Sequence, residues 1–201
     1  MPALYQHDPF LFLQGLLSPR VGWVEVLWEA LTIACEGWAM VLLALLFVYT
    51  RTRELRGLVR ATLPALAALL LAGILANGLK EIVRTPRPLA VLDPAAVHVL
   101  LEPLRLHAFP SGHSASAAAL AAWALHRFGR PAWPLLALAL LGGLSRVAVG
   151  AHWTFDVLGG WVIGALAAAA VRALEIRRER RRERLQASGS RLQEKPPPGA
   201  V

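Results

Sequence analysis

Apolar residues in this chain come in long blocks, and most of its Lys and Arg lie in the connections between them or in one run near the C-terminus. A bilayer-spanning helix needs roughly 20 mainly apolar residues, and blocks of about that length lie at Ala30–Tyr49, Ala61–Leu79, His113–Phe128, Ala132–Gly150 and Phe155–Ala173. The pattern predicts an all-α fold, an integral membrane helical bundle of about five transmembrane helices. The third block is short and Ala-rich, so it either borrows length from the flanking residues or lines a protein interior rather than facing lipid. Pro9–Glu29 reads as an interfacial segment that Pro19 and Gly22 break into two short pieces, with Trp23 and Trp28 suited to headgroup depth; a sixth crossing is the alternative. The chain then divides into an N-terminal interfacial segment over residues 1–29, a membrane domain over 30–175 and a basic tail over 176–201. The tail is a charge run followed by Pro-Pro-Pro-Gly, a composition that predicts disorder. Gly142-Gly143, Gly159-Gly160 and Gly164 mark places where helices can approach closely.

Composition sharpens this. The 201 residues are 56% apolar and only 17% charged, whereas soluble domains run about 45–50% and ~25%, so a soluble domain is excluded. The single cysteine, Cys35, rules out an internal disulfide or a thiolate metal cluster and reads as buried filler. Met1–Leu17 contains no Lys or Arg, so it lacks the charged start of a secretory signal.

The net charge of +8 serves topology, which leaves no role for nucleic acid. Arg51, Arg53, Arg56 and Arg60 join blocks one and two, and Arg127 and Arg130 join three and four. Arg172, Arg177, Arg178, Arg180, Arg181, Arg182, Arg184, Arg191 and Lys195 follow block five. These are 15 of the 21 basic residues, and the positive-inside rule assigns them to the cytoplasm. The chain is thus expected in the inner (plasma) membrane as a multi-pass protein, with its tail in the cytoplasm, in contact with membrane lipids. Its N-terminus, Glu81–Gly112 and Ala151–Thr154 face outward, toward the periplasm.

Six basic residues remain outside: Arg20, Lys80, Arg84, Arg87, Arg105 and Arg146. Lys80 ends block two, followed by Arg87 between Pro86 and Pro88, which end the helix and fix the local backbone. Pro110-Ser111-Gly112-His113 opens block three, Ser145-Arg146 closes block four, and His152 and Asp156 begin block five. All of these meet one membrane face at neighbouring helix ends. Lys80, Arg87 and Arg146 supply fixed positive charge, and guanidinium forks match phosphate oxygens in pairs. Ser111 adds a hydroxyl, and Gly112 opens the backbone N–H groups of a helix start to an anion. Together they describe a phosphate cradle. No carboxylate or His/Cys set is spaced for a metal, so the cations would neutralise phosphate charge and no cofactor is expected.

His152 and Asp156 are four apart, which on a helix puts them on one face. An aspartate bonded to one imidazole nitrogen fixes the tautomer and makes the other more basic, so His152 reads as a nucleophile. His113, at another helix start, is left to protonate the departing oxygen. Singly, these residues admit plainer readings: Lys80 as a snorkelling lysine, Arg146 as a partner of Asp156 or Glu36, His113 as a hydrated helix start. Several ionisable groups converging on one membrane face point to function. Arg84 and Arg105 read as peripheral contacts, Glu36 as either interhelical glue or a site residue, and His7, His98, His107 and His126 as structural. A non-catalytic membrane protein that binds or moves an anionic lipid would need the same arginines, though not an oriented imidazole opposite a second one.

The blocks Lys80…Arg87-Pro88, Pro110-Ser111-Gly112-His113 and Ser145-Arg146…His152…Asp156 resemble those of the type 2 phosphatidic acid phosphatases, relatives of the vanadium haloperoxidases and bacterial acid phosphatases. Every motif position and spacing is met. The resemblance implies a metal-independent phosphatase in which His152 forms a phosphohistidine, Asp156 orients it and His113 protonates the leaving group. Lys80, Arg87, Ser111, Gly112 and Arg146 would hold the phosphoryl group of a lipid phosphate substrate. In a small chain with almost no extramembrane domain, the likeness is to bacterial undecaprenyl-diphosphate phosphatases of cell wall synthesis. Phosphatidylglycerophosphate, phosphatidic acid and lipid A phosphatases share the blocks.

Overall fold

The computed structural model describes residues 5–52 and 55–193, without the side chains of 55–56 and 188–193. Its helices are α1 (Phe10–Leu17), α2 (Gly22–Ala34), α3 (Gly37–Thr52), α4 (Leu55–Val83), α5 (Pro88–Val91), α6 (Gly112–Phe128), α7 (Trp133–Ala148) and α8 (Thr154–Gln193), with a 3-10 turn at Arg130–Ala132. No strand occurs among the described residues. Arg53 and Lys195, assigned above to the basic connections, lie outside them, as do the prolines of the tail.

The chain is an integral membrane helical bundle. Gly57–Val91, Arg130–Ala148 and Thr154–Ala187 are long and apolar enough to cross a bilayer, and α3 is a shorter apolar helix. Leu46, Leu63, Leu70, Ile74, Val162 and Leu166 point outward and are exposed, while Ala44, Ala65, Ala68, Ala72, Ala119 and Ala168 are buried. Large side chains face out and small ones face in, because lipid solvates leucine as well as a protein core does and close backbone approach becomes the main source of cohesion.

The Ala-rich third block becomes α6, the centre of the bundle, packed by α4, α7 and α8. Ala115, Ala119, Leu120, Trp123 and Ala124 are all buried. The glycines of α8 make this contact close. A Cβ at Gly164 would stand 2.2 Å from the Ala115 carbonyl oxygen, and one at Gly160 2.5 Å from that of Ser111. Gly142 likewise makes room for the Cys35 thiol, which is buried as expected.

Four expectations are corrected. Block one is not a single helix: the chain leaves α2 at Cys35 and restarts α3 at Gly37, the break falling where polar Glu36 and a glycine interrupt the apolar run. Residues 177–193 continue α8 rather than losing structure. Arg and Glu are good helix formers, and Arg172 lies 3.7 Å from Glu175 and 3.6 Å from Glu179 on successive turns. Trp28 is buried and donates to the Leu17 carbonyl at 2.6 Å, tying α2 to α1, while Trp23 is exposed. His152 precedes α8 rather than lying on it. The Pro19–Gly22 break does separate α1 from α2, at an angle of 117°.

Candidate active site

The site is assembled where α4 ends, α6 and α8 begin and α7 stops. Two proline-rich connections build its walls. After Val83 the chain cannot continue helical toward Pro86 and Pro88, and the extended stretch pairs with residues 105–108: Arg87 N–H donates to the Arg105 carbonyl at 2.9 Å and Ala108 N–H to that of Thr85 at 3.0 Å. Thr85 Oγ1 accepts from Phe109 N–H at 2.8 Å, just before the cis Phe109-Pro110 bond that leads into Ser111.

Arg87 is buried and already oriented by the backbone. Its Nε donates to the Leu106 carbonyl at 2.9 Å and its Nη1 to the Ala151 carbonyl at 2.9 Å; Nη1 also stands 3.4 Å from His152 Nε2. At the other side of the ring, His152 Nδ1 faces Asp156 Oδ2 at 3.3 Å. One imidazole nitrogen therefore meets a carboxylate and the other meets guanidinium, which favours the tautomer with the proton on Nδ1 and the lone pair of Nε2 turned into the pocket.

The His152–Asp156 approach does not need a shared helix face. Asp156, in the first turn of α8, reaches back over its own helix start: Oδ2 accepts the Trp153 N–H at 2.9 Å, as a capping carboxylate does, and the same turn brings His152 alongside. The His152 N–H donates to the Arg146 carbonyl at 3.1 Å, so the end of α7 and the start of α8 are clamped together. Burial and the nearby Arg87, Arg146, Lys80 and His113 hold the His152 proton affinity well below the ordinary imidazole range. The ring is thus kept neutral, the state a nucleophile requires.

Arg146 is buried, and its Nε is buried without a hydrogen-bond partner among the described residues. A buried donor is rarely left orphaned, and this one is available to an anion entering the pocket. Ser145, its neighbour, is occupied structurally, donating to the Gly142 carbonyl at 2.7 Å beside Thr32 Oγ1 at 2.9 Å. Ser111 caps α6, accepting from Ser114 N–H at 3.4 Å and from Ser114 Oγ at 3.0 Å, which leaves its own proton to give. Lys80 Nζ would lie 3.6 Å from a Cβ at Gly112, placing the ammonium against the open start of α6. Lys80, Gly112 and His113 share the wall of a cavity of about 710 Å³ whose lining continues along Val41 of α3 and Leu66 and Leu70 of α4.

All eight predicted site residues therefore come to the same helix ends. Among the described residues no group of three His, Cys, Asp or Glu is placed to hold a metal. The Arg84 side chain is exposed and donates to the Glu81 carbonyl, while His107 meets Glu81 and His98 meets Glu25 away from the His152 ring.

Sequence reasoning missed the contribution of the N-terminus. Tyr5 donates to Asp156 Oδ1 at 2.8 Å and stacks on Trp153 with centroids 5.0 Å apart. Asp8 accepts the first two N–H groups of α8, from Thr154 at 3.2 Å and Phe155 at 3.0 Å. Gln14 is buried and bridges the His98 backbone to the end of α7. The one signal available was a set of polar residues in a stretch otherwise apolar.

Comparison with known proteins identifies the family and the fold. The model for the PAP2 superfamily matches residues 61–180. The chain is 32% identical to the undecaprenyl-diphosphatase BcrC of Bacillus subtilis over 131 residues, 65% of this chain and 63% of that protein. It is 37% identical to a lipid A 1-phosphatase of Rhizobium etli over 101 residues, 46% of this chain and 41% of that protein. The matches span less than two thirds of these relatives' own length. Among solved structures, Aquifex aeolicus LpxE superposes with a TM-score of 0.68 at 24% identity, covering 82% of this chain and 92% of that one. A PAP2 type phosphatidylglycerolphosphate phosphatase from Bacillus subtilis gives 0.65 at 21% identity, covering 88% of each chain.

Proposed function

This chain belongs to the PAP2 superfamily, and from that premise we propose that it is a metal-independent lipid phosphatase acting through a phosphohistidine on His152. The observation that carries the reading is the buried His152 ring, with Asp156 on one nitrogen and the cationic pocket on the other.

In the proposed first step, His152 Nε2 attacks phosphorus while Asp156 stabilises the charge that appears on the ring. The N–P bond forms as the P–O bond to the lipid breaks, and the departing oxygen takes a proton from His113. Lys80, Arg87, Arg146, the Ser111 hydroxyl and the N–H groups at the start of α6 hold the phosphoryl oxygens, whose charge they neutralise through the transition state. Water then attacks the phosphohistidine and gives its proton to His113; the N–P bond breaks, phosphate leaves, and both imidazoles return to their starting states.

The substrate proposed is undecaprenyl diphosphate, giving undecaprenyl phosphate. Two observations support a lipid: the cavity that Lys80, Gly112 and His113 line is continued by the apolar side chains of Val41, Leu66, Leu69 and Leu70, and the named relatives include undecaprenyl-diphosphatases and lipid A phosphatases. The charge asymmetry supports a site on the outer face of the plasma membrane with the basic end of α8 in the cytoplasm; the proposed division is an N-terminal interfacial segment over residues 1–29, the membrane domain over 30–175 and a basic cytoplasmic tail over 176–201.

The test is phosphate release by purified protein, in chelator, from undecaprenyl diphosphate, phosphatidylglycerophosphate, phosphatidic acid and a lipid A phosphate, with His152→Ala as the blank. Preference for the prenyl diphosphate supports the assignment. Preference for a glycerolipid or lipid A moves the substrate and keeps the chemistry, and release by His152→Ala rejects the nucleophile. Silence on every lipid favours a carrier or binding role.

A further inference from the structure

At the end of the bundle far from His152 lies a second cavity, of about 640 Å³, between the start of α4, the end of α6 and the polar half of α8. Its floor is apolar, with Ala61, Pro64 and Val171, and four arginines line it: Arg60, Arg127, Arg178 and Arg182. Among the described residues Arg60, Arg178 and Arg182 make no hydrogen bond or ion pair, and Arg127 only stacks over Phe128, at 5.5 Å from the ring centroid.

Two carboxylates also line the cavity, Glu175 and Glu179, but both are engaged by Arg172, at 3.7 Å and 3.6 Å. The four lining guanidiniums are thus in excess and uncompensated. Glu175 Oε2 is buried and, among the described residues, is approached only by Arg172 Nη1 at 3.7 Å, beyond hydrogen-bond length, so it can still accept a donor. The position matters as well. Arg60 and Lys80 lie twenty residues apart on α4, roughly 30 Å at 1.5 Å per residue, which is one hydrocarbon thickness. With the candidate active site at one interface, this cavity sits at the other.

We infer that this cavity is a binding site for an anionic phospholipid of the opposite leaflet, whose phosphate meets Arg60, Arg127, Arg178 and Arg182 and whose headgroup hydroxyl donates to Glu175. Unpaired arginines over an apolar floor at headgroup depth match a phosphodiester with its chains still in the bilayer. A soluble anion would have no use for the floor, and a zwitterionic head would leave the cationic excess unmatched. The site is independent of the chemistry proposed for His152 and stands whether or not that end is a phosphatase.

The test is lipid retention by the full chain, followed by native mass spectrometry, with phosphatidylglycerol as probe and phosphatidylcholine as control. Wild type and Arg146→Gln, which disables only the far cradle, should retain phosphatidylglycerol over phosphatidylcholine. Arg60→Gln/Arg178→Gln should bind it about 30-fold more weakly, at roughly fivefold per arginine. Should that variant fail to fold, Arg182→Gln, on an exposed turn, should alone weaken binding about fivefold. Phosphatidylethanol, with the same charge and no hydroxyl, should bind less tightly than phosphatidylglycerol to wild type and equally to Glu175→Ala. Undiminished retention by the arginine variants, or equal retention of phosphatidylcholine by wild type, overturns the site. Displacement of phosphatidylglycerol by inorganic phosphate assigns the cavity to a soluble anion and overturns the lipid.

Discussion

Tyr5 and Asp156 are 151 positions apart in the chain, and the Tyr5 hydroxyl donates to Asp156 Oδ1 at 2.8 Å. The carboxylate is thereby divided: Oδ2 serves His152 and the Trp153 N–H, and Oδ1 is held by the N-terminal segment. Since rotation of Asp156 would spoil both bonds, Tyr5 is a positioning residue for the His152 ring. Tyr5→Phe keeps the stacking on Trp153 and removes one hydrogen bond to a charged group, worth about 1.5–3 kcal/mol. We expect kcat to fall by about 10-fold or more, with KM little changed, measured by steady-state phosphate release.

The pH profile should carry the signature of a depressed imidazole. An unperturbed histidine titrates near ~6.5, and burial, with the cations around it, pushes His152 lower. Activity in kcat/KM due to His152 should persist through pH ~6.5 and be lost only at more acid pH. The same depression makes the unfolded chain bind a proton that the folded chain refuses. Stability should therefore fall as pH drops below ~6.5, a decline that His152→Gln should reduce in a thermal unfolding series.

Arg146 offers a buried Nε with no hydrogen-bond partner among the described residues. If that donor meets charge developing on the transferred phosphoryl group, Arg146→Ala should lower kcat far more than it raises KM, by roughly 100-fold or more. In the proposed mechanism Lys80, Arg87 and Arg146 carry the charge, and a chelator should then leave the rate unchanged. Inhibition by chelator with rescue by magnesium would reject this division of labour.

Gly164 tests the packing that sets the site in place. Its Cβ would meet the Ala115 carbonyl oxygen at 2.2 Å, and backbone on both sides cannot yield as a side-chain tip can. Gly164→Ala should destabilise the bundle by at least ~1–3 kcal/mol, read as a lower unfolding midpoint in detergent.

Much of this was legible in the sequence because the signals were local. Spacing alone places Lys80, Arg87, Ser111, Arg146 and Asp156 at helix ends, and four crossing blocks lie within α4, α6, α7 and α8 or overrun them by a residue or two. The alanines and glycines of α6 and α8 announce close packing before any coordinates. What failed depended on non-local contacts. Tyr5, Asp8 and Gln14 have no motif; each gains its role from a partner more than eighty residues away, brought near only by the turn between α1 and α2. Apolar periodicity cannot see the Cys35–Gly37 break either, because hydropathy averages across a single Glu36. The His152–Asp156 spacing suggested one helix face, whereas the contact is made by a side chain reaching back across a helix start.

The central claim is that phosphorus passes through His152 on its way to water. Two displacements at phosphorus restore its configuration, and one inverts it. Hydrolysis in isotopically labelled water of a lipid thiophosphate made chiral with oxygen isotopes distinguishes the two. Net retention in the released thiophosphate is the predicted result, and net inversion would mean that water attacks the substrate directly, contradicting the account.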